Sequence, residues 1–492
     1  MSKENPLRLE KTRKLQELRS LGIDPFPHNY KKTHNAADLK SKDAEFEPGD
    51  VKEELTAKLA GRLMTKRPMG KAAFFNLQDQ TGSFQSYVQV SELSETAQKS
   101  FKLMDIGDII GVEGYMFKTR KGEMSLHVKD LQILCKTLEP LPEKYHGVAD
   151  VEIKYRQRYL DLIMSPETRN VFEARSKIIR AFRTYLDNKG FLEVETPVLQ
   201  PIYGGAAAYP FSTHHRALDM KLFLKISPEL YLKRLIVGGF EKVYEIGKNF
   251  RNEGIDRSHN PEFTMLEYYE AYTDYIDQMK QFEEVIAFVA KEVTGSTKVV
   301  YQDKELDFTP PWERISVYDA IKKYGDFDVE TAPAEDIIAE IKKYDPKFDA
   351  KDVPSKGHLI MELFDHTVEP KIVQPTFITD FPVEISPLTK SHRSKPGLVE
   401  RFEPICAGME IGNSYTELND PEDQRARLKE QEAQRVVDEE AQPMDEDFLN
   451  AIDVGMPPTG GVGIGIERIV MLLTNQHSIR DILFFPTMKP RS

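Results

Sequence analysis

Cysteine is almost missing from this chain. It occurs twice in 492 residues, at Cys135 and Cys406, and neither has a Cys or His nearby at metal-ligand spacing. That argues against a disulfide framework and against a structural zinc site, and it suits a reducing cytoplasm. Trp occurs once. No apolar run approaches the ~18 residues of a membrane span. The first residues, MSKENPLRLEKTRK, lack the apolar centre of a signal peptide. The expectation is a cytoplasmic protein that meets no membrane. Two phosphate-binding signatures are also missing. No G-x-x-x-x-G-K-[ST] loop occurs, and in GGVGIGIERI the third glycine of a dinucleotide fingerprint, counted from Gly463 and Gly465, is replaced by Arg468. A nucleotide held by this chain is held by other means.

What is present is an ordinary globular composition, 40% hydrophobic and 30% charged. The length predicts roughly two to four domains with ample core. The net charge of −13 speaks against a nucleic-acid partner, but it is unevenly spread. Residues 1–150 hold 24 Lys and Arg against 22 Asp and Glu, a net of +2, which leaves −15 for the remainder. A polyanion could touch the front, and a cation or Mg²⁺ could enter the rear.

The most informative stretch runs from Val243 to Tyr272, VYEIGKNFRNEGIDRSHNPEFTMLEYYEAY. Strands are expected at Val243–Ile246 and Phe263–Tyr269. The connection between them packs Arg251, Glu253, Arg257, His259, Asn260 and Glu262 together. Unpaired buried charges cost several kcal/mol or more, so such a loop is either a solvated hairpin or a site. Glu245, Glu267 and Tyr269 on the flanking strands favour a site.

Along the chain, residues 7–21 read as an amphipathic helix with Leu7, Leu15, Leu18 and Leu21 on its apolar face. Its Lys and Arg could be a solvated face or could touch an RNA backbone. From Thr56 to Leu138 five short strands with a helix near Ser94–Met104, between the third and fourth, follow the order of an OB-fold barrel. Alternation puts Phe74 and Phe75 on opposite faces, one of them in the core. Residues 1–55 are read as the helix and its connection, 56–140 as the barrel and 141–160 as a linker. Residues 161–492 are read as a second, α+β domain whose long strands look antiparallel, with a mostly helical excursion near 274–345.

In that second domain, Gly463 and Gly465 could let backbone press on a planar base, with the Arg468 fork free for phosphate, or they could simply pack against a neighbouring strand. Glu403 and Glu410 would sit on opposite faces of an unbroken strand. Pro404 and Gly408 predict a break that lets the two carboxylates converge, as Mg²⁺ beside a nucleotide would require.

Taken together these segments resemble the class II aminoacyl-tRNA synthetases, and within them the lysyl-tRNA synthetase family of the compact bacterial type. FLEVETPVL, around Pro197, is similar to the first signature of the class, which builds a dimer interface. VYEIGKNFRNEG with HNPEFTMLEYY is similar to the second, and GVGIGIERIVML to the third. GGAAA, PELYLKRL and EIGNSYTELNDPEDQ resemble the lysine-specific branch. The resemblance implies a homodimeric lysine–tRNA ligase that uses ATP and Mg²⁺ to form lysyl-adenylate and charges the 3′ end of tRNA(Lys), without zinc. It implies that Arg251 bridges the lysine carboxylate and the α-phosphate and that Glu253 meets the adenine amino group. Phe263 and Arg468 would sandwich the base, beside Gly465, with His259 and Asn260 near phosphates and ribose. Glu403 and Glu410 would hold the metal. Gly205 and Glu229 would take the α-amino group, and Glu417 and Tyr269 the ε-ammonium. Asn413, Tyr415 and Glu267 would complete the lysine pocket. In the barrel, Phe74 and Gln85 would receive the central anticodon base, flanked by Arg67 and Glu123, with the N-terminal helix as an auxiliary RNA contact.

Two positions depart from the family pattern. Tyr209 follows GGAAA where a basic residue is usual, and Ser258 precedes His259 where Arg is common, with Arg257 one place earlier. The competing readings are an aspartyl- or asparaginyl-type ligase, disfavoured by an acidic pocket, a protein-lysylating relative, which lacks a barrel, and a non-catalytic tRNA-binding protein.

Overall fold

The computed structural model describes residues 5–142, 151–434 and 443–490. The chain divides into two compact units, Met1–Val148 and Ala149–Ser492.

The first unit opens with α1 (Pro6–Ser20), capped by the Asn5 side chain, and the short α2 (Ala36–Lys40). Strands β1 (Val51–Met69), β2 (Ala72–Asp79), β3 (Gly82–Gln89), β4 (Ile109–Lys118) and β5 (Met124–Cys135) close into a barrel in the order β1-β2-β3-β5-β4, and α3 (Glu95–Leu103) lies between β3 and β4. One long β1 serves two neighbours. Its first part, to Arg62, pairs with β4; from Arg62 onward it pairs with β2, with a register slip at Leu63–Thr65. Such a slip bends the strand, and the bend helps the sheet to close. Inward residues such as Phe75, Phe84, Val112, Leu126 and Val128 fill the interior.

Helix α1 differs from its expected pattern. Leu15 and Leu18 are buried, but Leu7 and Leu21 are exposed. The inward face is completed instead by Lys11, whose ammonium donates to the Ile106 carbonyl and Thr137 Oγ1, both at 3.0 Å. Lys14 reaches Asp105 at 2.5 Å, and Arg13 is shared between Glu10 and Glu17. The long lysine stems reach across to polar partners on the barrel, which an apolar periodicity cannot show.

The second unit begins earlier than expected. Residues 143–150 of the expected linker lie outside the described residues, but from Val151 the chain is helical, as α4 (Val151–Arg156) and α5 (Arg158–Met164). Arg158 is fully buried, bonding Asp161 at 2.7 Å and the carbonyls of Arg480 and Leu483 at 2.7 and 3.1 Å. A buried guanidinium so fully partnered ties these helices to the unit.

Next come α6 (Pro166–Asn188), β6 (Leu192–Glu193), β7 (Leu199–Gln200), β8 (Ser212–His215), β9 (Met220–Leu224) and α7 (Glu229–Val237). They are followed by β10 (Lys242–Phe250), β11 (Glu262–Ala271), α8 (Tyr275–Thr294), β12 (Lys298–Tyr301), β13 (Lys304–Asp307) and β14 (Glu313–Ser316). Helices α9 (Val317–Gly325), α10 (Ala334–Tyr344) and α11 (Lys356–Thr367) lead to β15 (Thr376–Pro382), β16 (Leu398–Cys406), β17 (Met409–Glu410) and β18 (Gly412–Thr416). The unit ends with α12 (Pro421–Gln434), α13 (Glu446–Val454), β19 (Thr459–Gly465), α14 (Ile466–Leu473) and α15 (Ile479–Ile482).

The main sheet has nine strands in the order β14-β15-β16-β18-β19-β11-β10-β6, with β17 paired to β16. Among the described residues, only the β14–β15 and β6–β10 pairs of this sheet are parallel. One face is covered by α6, α8 and α14. Phe182, Phe282, Ile286 and Val470 pack there against Tyr244, Leu266, Tyr268, Val462 and Ile464 of the strands. The region 274–345 is therefore no detached helical excursion. Its first helix, α8, is central to this core, its hairpin β12–β13 is a small sheet of its own, and β14 extends the main sheet. Met279, Phe282, Ile286 and Val289 recur at helical spacing along α8, and that burial carries it into the core.

Candidate active site

Because strand side chains alternate, whatever β11 sends to the helices at even positions it withholds from the other face. Leu266 and Tyr268 belong to the core, so Phe263, Met265, Glu267 and Tyr269 project the opposite way. Directly beside them in register stand glycines of β19. Met265 pairs with Gly465, Glu267 with Gly463, and Tyr269 with Gly461. Beyond the glycines, β18 sets Asn413 against Gly463 and Tyr415 against Gly461. A strip without side chains thus runs between two rows that have them. The GGVGIG run is therefore the floor of the site, with Val462 and Ile464 packed below it in the core. The resulting cavity has a volume of about 410 Å³.

One end of the cavity is cationic and aromatic. The Arg251 guanidinium lies over the Phe263 ring, 5.2 Å from its centroid, and Arg251 Nε is buried without a partner. Arg468, in the first turn of α14, donates to the Glu410 carbonyl at 2.5 Å and to its carboxylate at 3.2 Å. Glu467 fixes that turn. Its carboxylate accepts from the Thr264 amide at 3.0 Å and from Arg175 at 2.7 Å. Glu253 and His259 line the cavity from the exposed connecting loop. The His259 ring is bonded to Asp256 at 2.8 Å. Partial burial works against the Asp256 charge, but that bond and the Ser258 and His259 amides hold its pKa down at about 2. Ser258 lines the cavity, whereas Arg257 turns away to the His477 carbonyl at 2.6 Å. The neighbouring arginine therefore does not fill the place left by Ser258. Asn260 also lines the cavity, but its amide is spent on backbone, donating to Glu262 at 2.6 Å and accepting from Thr487 at 3.3 Å.

The side wall carries two carboxylates. After Cys406 the chain reverses through Ala407 and Gly408, both with positive φ (52° and 70°), and β17 folds back on β16. Two successive left-handed residues make the tight turn that a hairpin needs. The expected break is thus a hairpin, and it places Glu403 and Glu410 in the same cavity. Arg401, two residues before Glu403 on the same strand face, donates to it at 2.5 Å and to Asn413 Oδ1 at 3.0 Å. Burial, opposed by Arg401 and reinforced by Glu410, nonetheless pushes the Glu403 pKa up to about 7. A carboxyl in that state gains from a cation that approaches both groups.

The other end is acidic. Glu267 accepts from Ser227 Oγ at 2.9 Å and Tyr269 Oη at 3.2 Å. Burial and the nearby Glu229 push its pKa up to about 8. Glu229 opens α7 and accepts from Tyr415 Oη at 2.6 Å. Gly205 backs onto Ser227 and Glu229 so closely that a β-carbon on it would stand 2.9 Å from each. Glu417 is fully buried, with its carboxylate on the cavity-facing side of Gly461, beside the Tyr269 ring. Its partner is Lys233, itself buried, which also bonds Glu229 at 2.7 Å. β18 ends at Thr416, and the Glu417 amide bonds the Thr459 carbonyl at 2.8 Å, which holds this residue against β19.

Sequence reasoning missed four residues of this site. The i,i+4 spacing of Glu229 and Lys233 in PELYLKRL was the available sign of one. The i,i+2 spacing of Arg401 and Glu403 was the sign of another. For Ser227 and Glu467 only tertiary partners reveal the role.

On the barrel, Phe75 is fully buried while Phe74 is partly exposed, as alternation requires. Phe74 stands between Arg67 of β1 and Tyr87 of β3, with the Phe74 and Tyr87 rings 4.9 Å apart. Tyr87 in turn meets His127 at 5.1 Å and Phe117 at 5.9 Å, and Tyr115 meets His127 at 4.7 Å. These half-buried rings extend the expected platform by four members. Gln85 lies on the same strand and bonds Ser125 at 2.8 Å, and Arg67 and Glu123 are exposed.

Comparison with known proteins supplies the frame for both sites. A family described as OB-fold nucleic acid binding domain matches residues 57–134. A protein named lysine–tRNA ligase from Pelotomaculum thermopropionicum is 52% identical over 489 residues, covering 99% of this chain and 96% of the relative. Its namesake from Clostridium botulinum is 50% identical over 493 residues, again covering 99% and 96%. The one from Thermoanaerobacter sp. is 52% identical over 481 residues, covering 97% and 95%. Residues 150–489 match the family described as tRNA synthetases class II (D, K and N), and the chain belongs to that family, in its lysine–tRNA ligase branch.

Proposed function

We propose that the cavity is the site where lysine and ATP react, and that the chain works as a lysine–tRNA ligase. A lysine carboxylate oxygen attacks the α-phosphorus of ATP, pyrophosphate leaves, and lysyl-adenylate then passes its lysine to a hydroxyl at the 3′ end of tRNA(Lys), with AMP as the leaving group. The observation that carries this reading is the polarity of the cavity. Arg251, Phe263 and Arg468 stand at one end, and Glu229, Glu267 and, against Gly461 and Tyr269, Glu417 at the other.

In this reading Arg251 spans the two substrates. Its Nε lacks a partner, so a carboxylate or phosphate oxygen satisfies a buried donor, and the guanidinium stabilises the charge that develops at phosphorus. Phe263 and Arg468 take the adenine ring between them, a stacking and cation–π arrangement. Gly465 gives room at the base, Glu253 accepts from its amino group, and His259 and Asn260 shape the loop around phosphate and ribose. Gly205 and Glu229 receive the α-ammonium, and Glu417 with Tyr269 the ε-ammonium. Asn413, Tyr415 and Glu267 wall the pocket. No side-chain base is required, because positioning and charge stabilisation suffice for this chemistry.

Glu403 and Glu410 would hold Mg²⁺, which when bound neutralises triphosphate charge; two protein carboxylates plus phosphate oxygens are its usual company. The raised pKa of Glu403 beside Glu410 fits a site that wants a cation.

The barrel reads the anticodon in this proposal. Phe74 stacks on the central base, Gln85 bonds it, and Arg67 and Glu123 flank it, with the further aromatic rings continuing the platform. A homodimer is supported by exposed apolar side chains on and after the two-residue edge strand β6, Leu192, Val198 and Leu199, and by Phe240 just before β10. No described helix is long and apolar enough to cross a membrane. A cytoplasmic location belongs to the same proposal.

An aspartyl- or asparaginyl-type substrate fits the acidic end poorly, since its side chain lacks a charge to offset buried carboxylates. The deciding experiment is ATP–pyrophosphate exchange with each of the twenty amino acids. Lysine-dependent exchange is expected; exchange driven by aspartate or by none would overturn the reading.

A further inference from the structure

Lys233 is a buried charged group beside the acidic end that the reaction above does not use. It sits on α7, one helical turn after Glu229, and is completely shielded from solvent. Its ammonium bonds Glu229 Oε1 at 2.7 Å and pairs with Glu417 Oε2. Tyr415 and Phe448 close over it, with ring centroids 5.6 and 5.9 Å away. Burial works against its charge, but the two carboxylates raise its pKa above the ordinary lysine value. The remaining oxygens of the two acids point elsewhere. Glu229 Oε2 accepts from Tyr415, and Glu417 Oε1 lies against the cavity-facing side of Gly461.

A closed pocket must balance its charges or hold protons to do so. On the acidic side stand Glu229, Glu267 and Glu417, three potential negative charges, with Tyr269 and Tyr415 neutral between them. Facing them are Lys233 within the wall and Arg251 across the cavity. A bound lysine brings two ammonium groups and one carboxylate. With Lys233 counted, the full set sums to zero; without it, one negative charge is left over in a buried site. We propose that Lys233 is a positioning residue that sets the charge specificity of the amino-acid pocket: it holds Glu229 and Glu417 together and offsets one of three carboxylates, leaving two charges for a diamino acid. It does so without touching the substrate. This rests on the assignment of the acidic end as the lysine site.

The test is a double-mutant cycle on lysine-dependent pyrophosphate exchange, using Lys233→Met, Glu417→Gln and the pair together. Each single change breaks the balance, in opposite directions, and the pair restores it. The lysine KM is expected to rise at least tenfold in each single variant, with the ATP KM within twofold of the starting protein. The double variant is expected to bind lysine better than either single one, which a purely structural role for Lys233 does not produce. If Lys233→Met fails to fold, the comparison of the double variant with Glu417→Gln carries the test alone. An unchanged lysine KM in Lys233→Met overturns the proposal. So does a double variant no better than Glu417→Gln. If Glu417→Gln itself leaves the lysine KM unchanged, the lysine site is misassigned and the inference falls with it.

Discussion

Gly461 lies directly over the Glu417 carboxylate: a β-carbon on it would stand 2.0 Å from Glu417 Oε1 and 2.4 Å from Tyr269 Cε1. Any side chain there would both collide with the pocket wall and screen Glu417 from a ligand. Gly461→Ala is therefore expected to raise the lysine KM roughly tenfold or more, since overpacking a closed site costs about 1–3 kcal/mol. ATP binding, measured separately by calorimetry, should persist, because the nucleotide end lies further along the floor. Loss of both affinities together would show that the strand, and not the lysine pocket alone, depends on this glycine.

Glu417 itself makes a sharper prediction. Glu417→Gln keeps the shape and removes the charge that a desolvated ε-ammonium needs. Truncating one member of a buried charge pair costs about 2–5 kcal/mol. The lysine KM should rise by roughly thirtyfold or more in pyrophosphate exchange, with ATP affinity kept. Unchanged lysine kinetics would refute the role.

The elevated Glu267 pKa gives a pH signature. In the empty pocket burial and Glu229 push it from 4.5 up to about 8, so the folded protein carries a proton there at pH 7 that the unfolded chain has lost. The stability this proton contributes is complete below about 4.5 and is lost as pH rises through about 8. Lysine supplies ammonium groups in the proton's place, so binding near pH 7 releases protons, and affinity rises from pH 6 to 8. Calorimetry in buffers of different ionisation enthalpy measures the release directly. The thermal midpoint without lysine should fall between pH 6 and 8 in the starting protein and fall less in Glu267→Gln. No proton release, or the same pH trend in both proteins, would sink this account.

These predictions rest on residues that were unequally visible beforehand. The odd positions of β11 could be picked out because charged and aromatic residues there alternate with Leu266 and Tyr268, and a period of two survives any tertiary arrangement. The break between Glu403 and Glu410 was readable from Pro404 and Gly408, although its form, a tight hairpin at Ala407–Gly408, was not. GGVGIG was visible as a special run but open in meaning, since whether glycines approach a ligand or a neighbouring strand depends on which strand lies beside them. Lys233 and Arg158 look like ordinary surface cations on helices, and only their distant partners explain their burial. The same holds in the N-terminal helix. Lys11 and Lys14 turn inward to the barrel, so two of its basic residues are already engaged and are not free for RNA.

The barrel can be tested apart from the catalytic chemistry. Phe74 is partly exposed, sits between Arg67 and Tyr87, and belongs to a platform of half-buried rings. Base stacking on such a ring is worth about 1–3 kcal/mol. Phe74→Ala should therefore raise the KM for tRNA in aminoacylation roughly ten- to a hundredfold while pyrophosphate exchange, which needs no tRNA, stays unchanged. Phe75→Ala provides the contrast: its ring fills the barrel interior, so its loss should cost about 3–5 kcal/mol of stability and lower the unfolding midpoint of the first unit. Equal loss of exchange and aminoacylation in Phe74→Ala would mark a folding defect and remove Phe74 from the recognition surface. Loss of aminoacylation alone, with the melting curve unmoved, would establish that this face of the barrel selects the tRNA while the cavity of the second unit selects the amino acid.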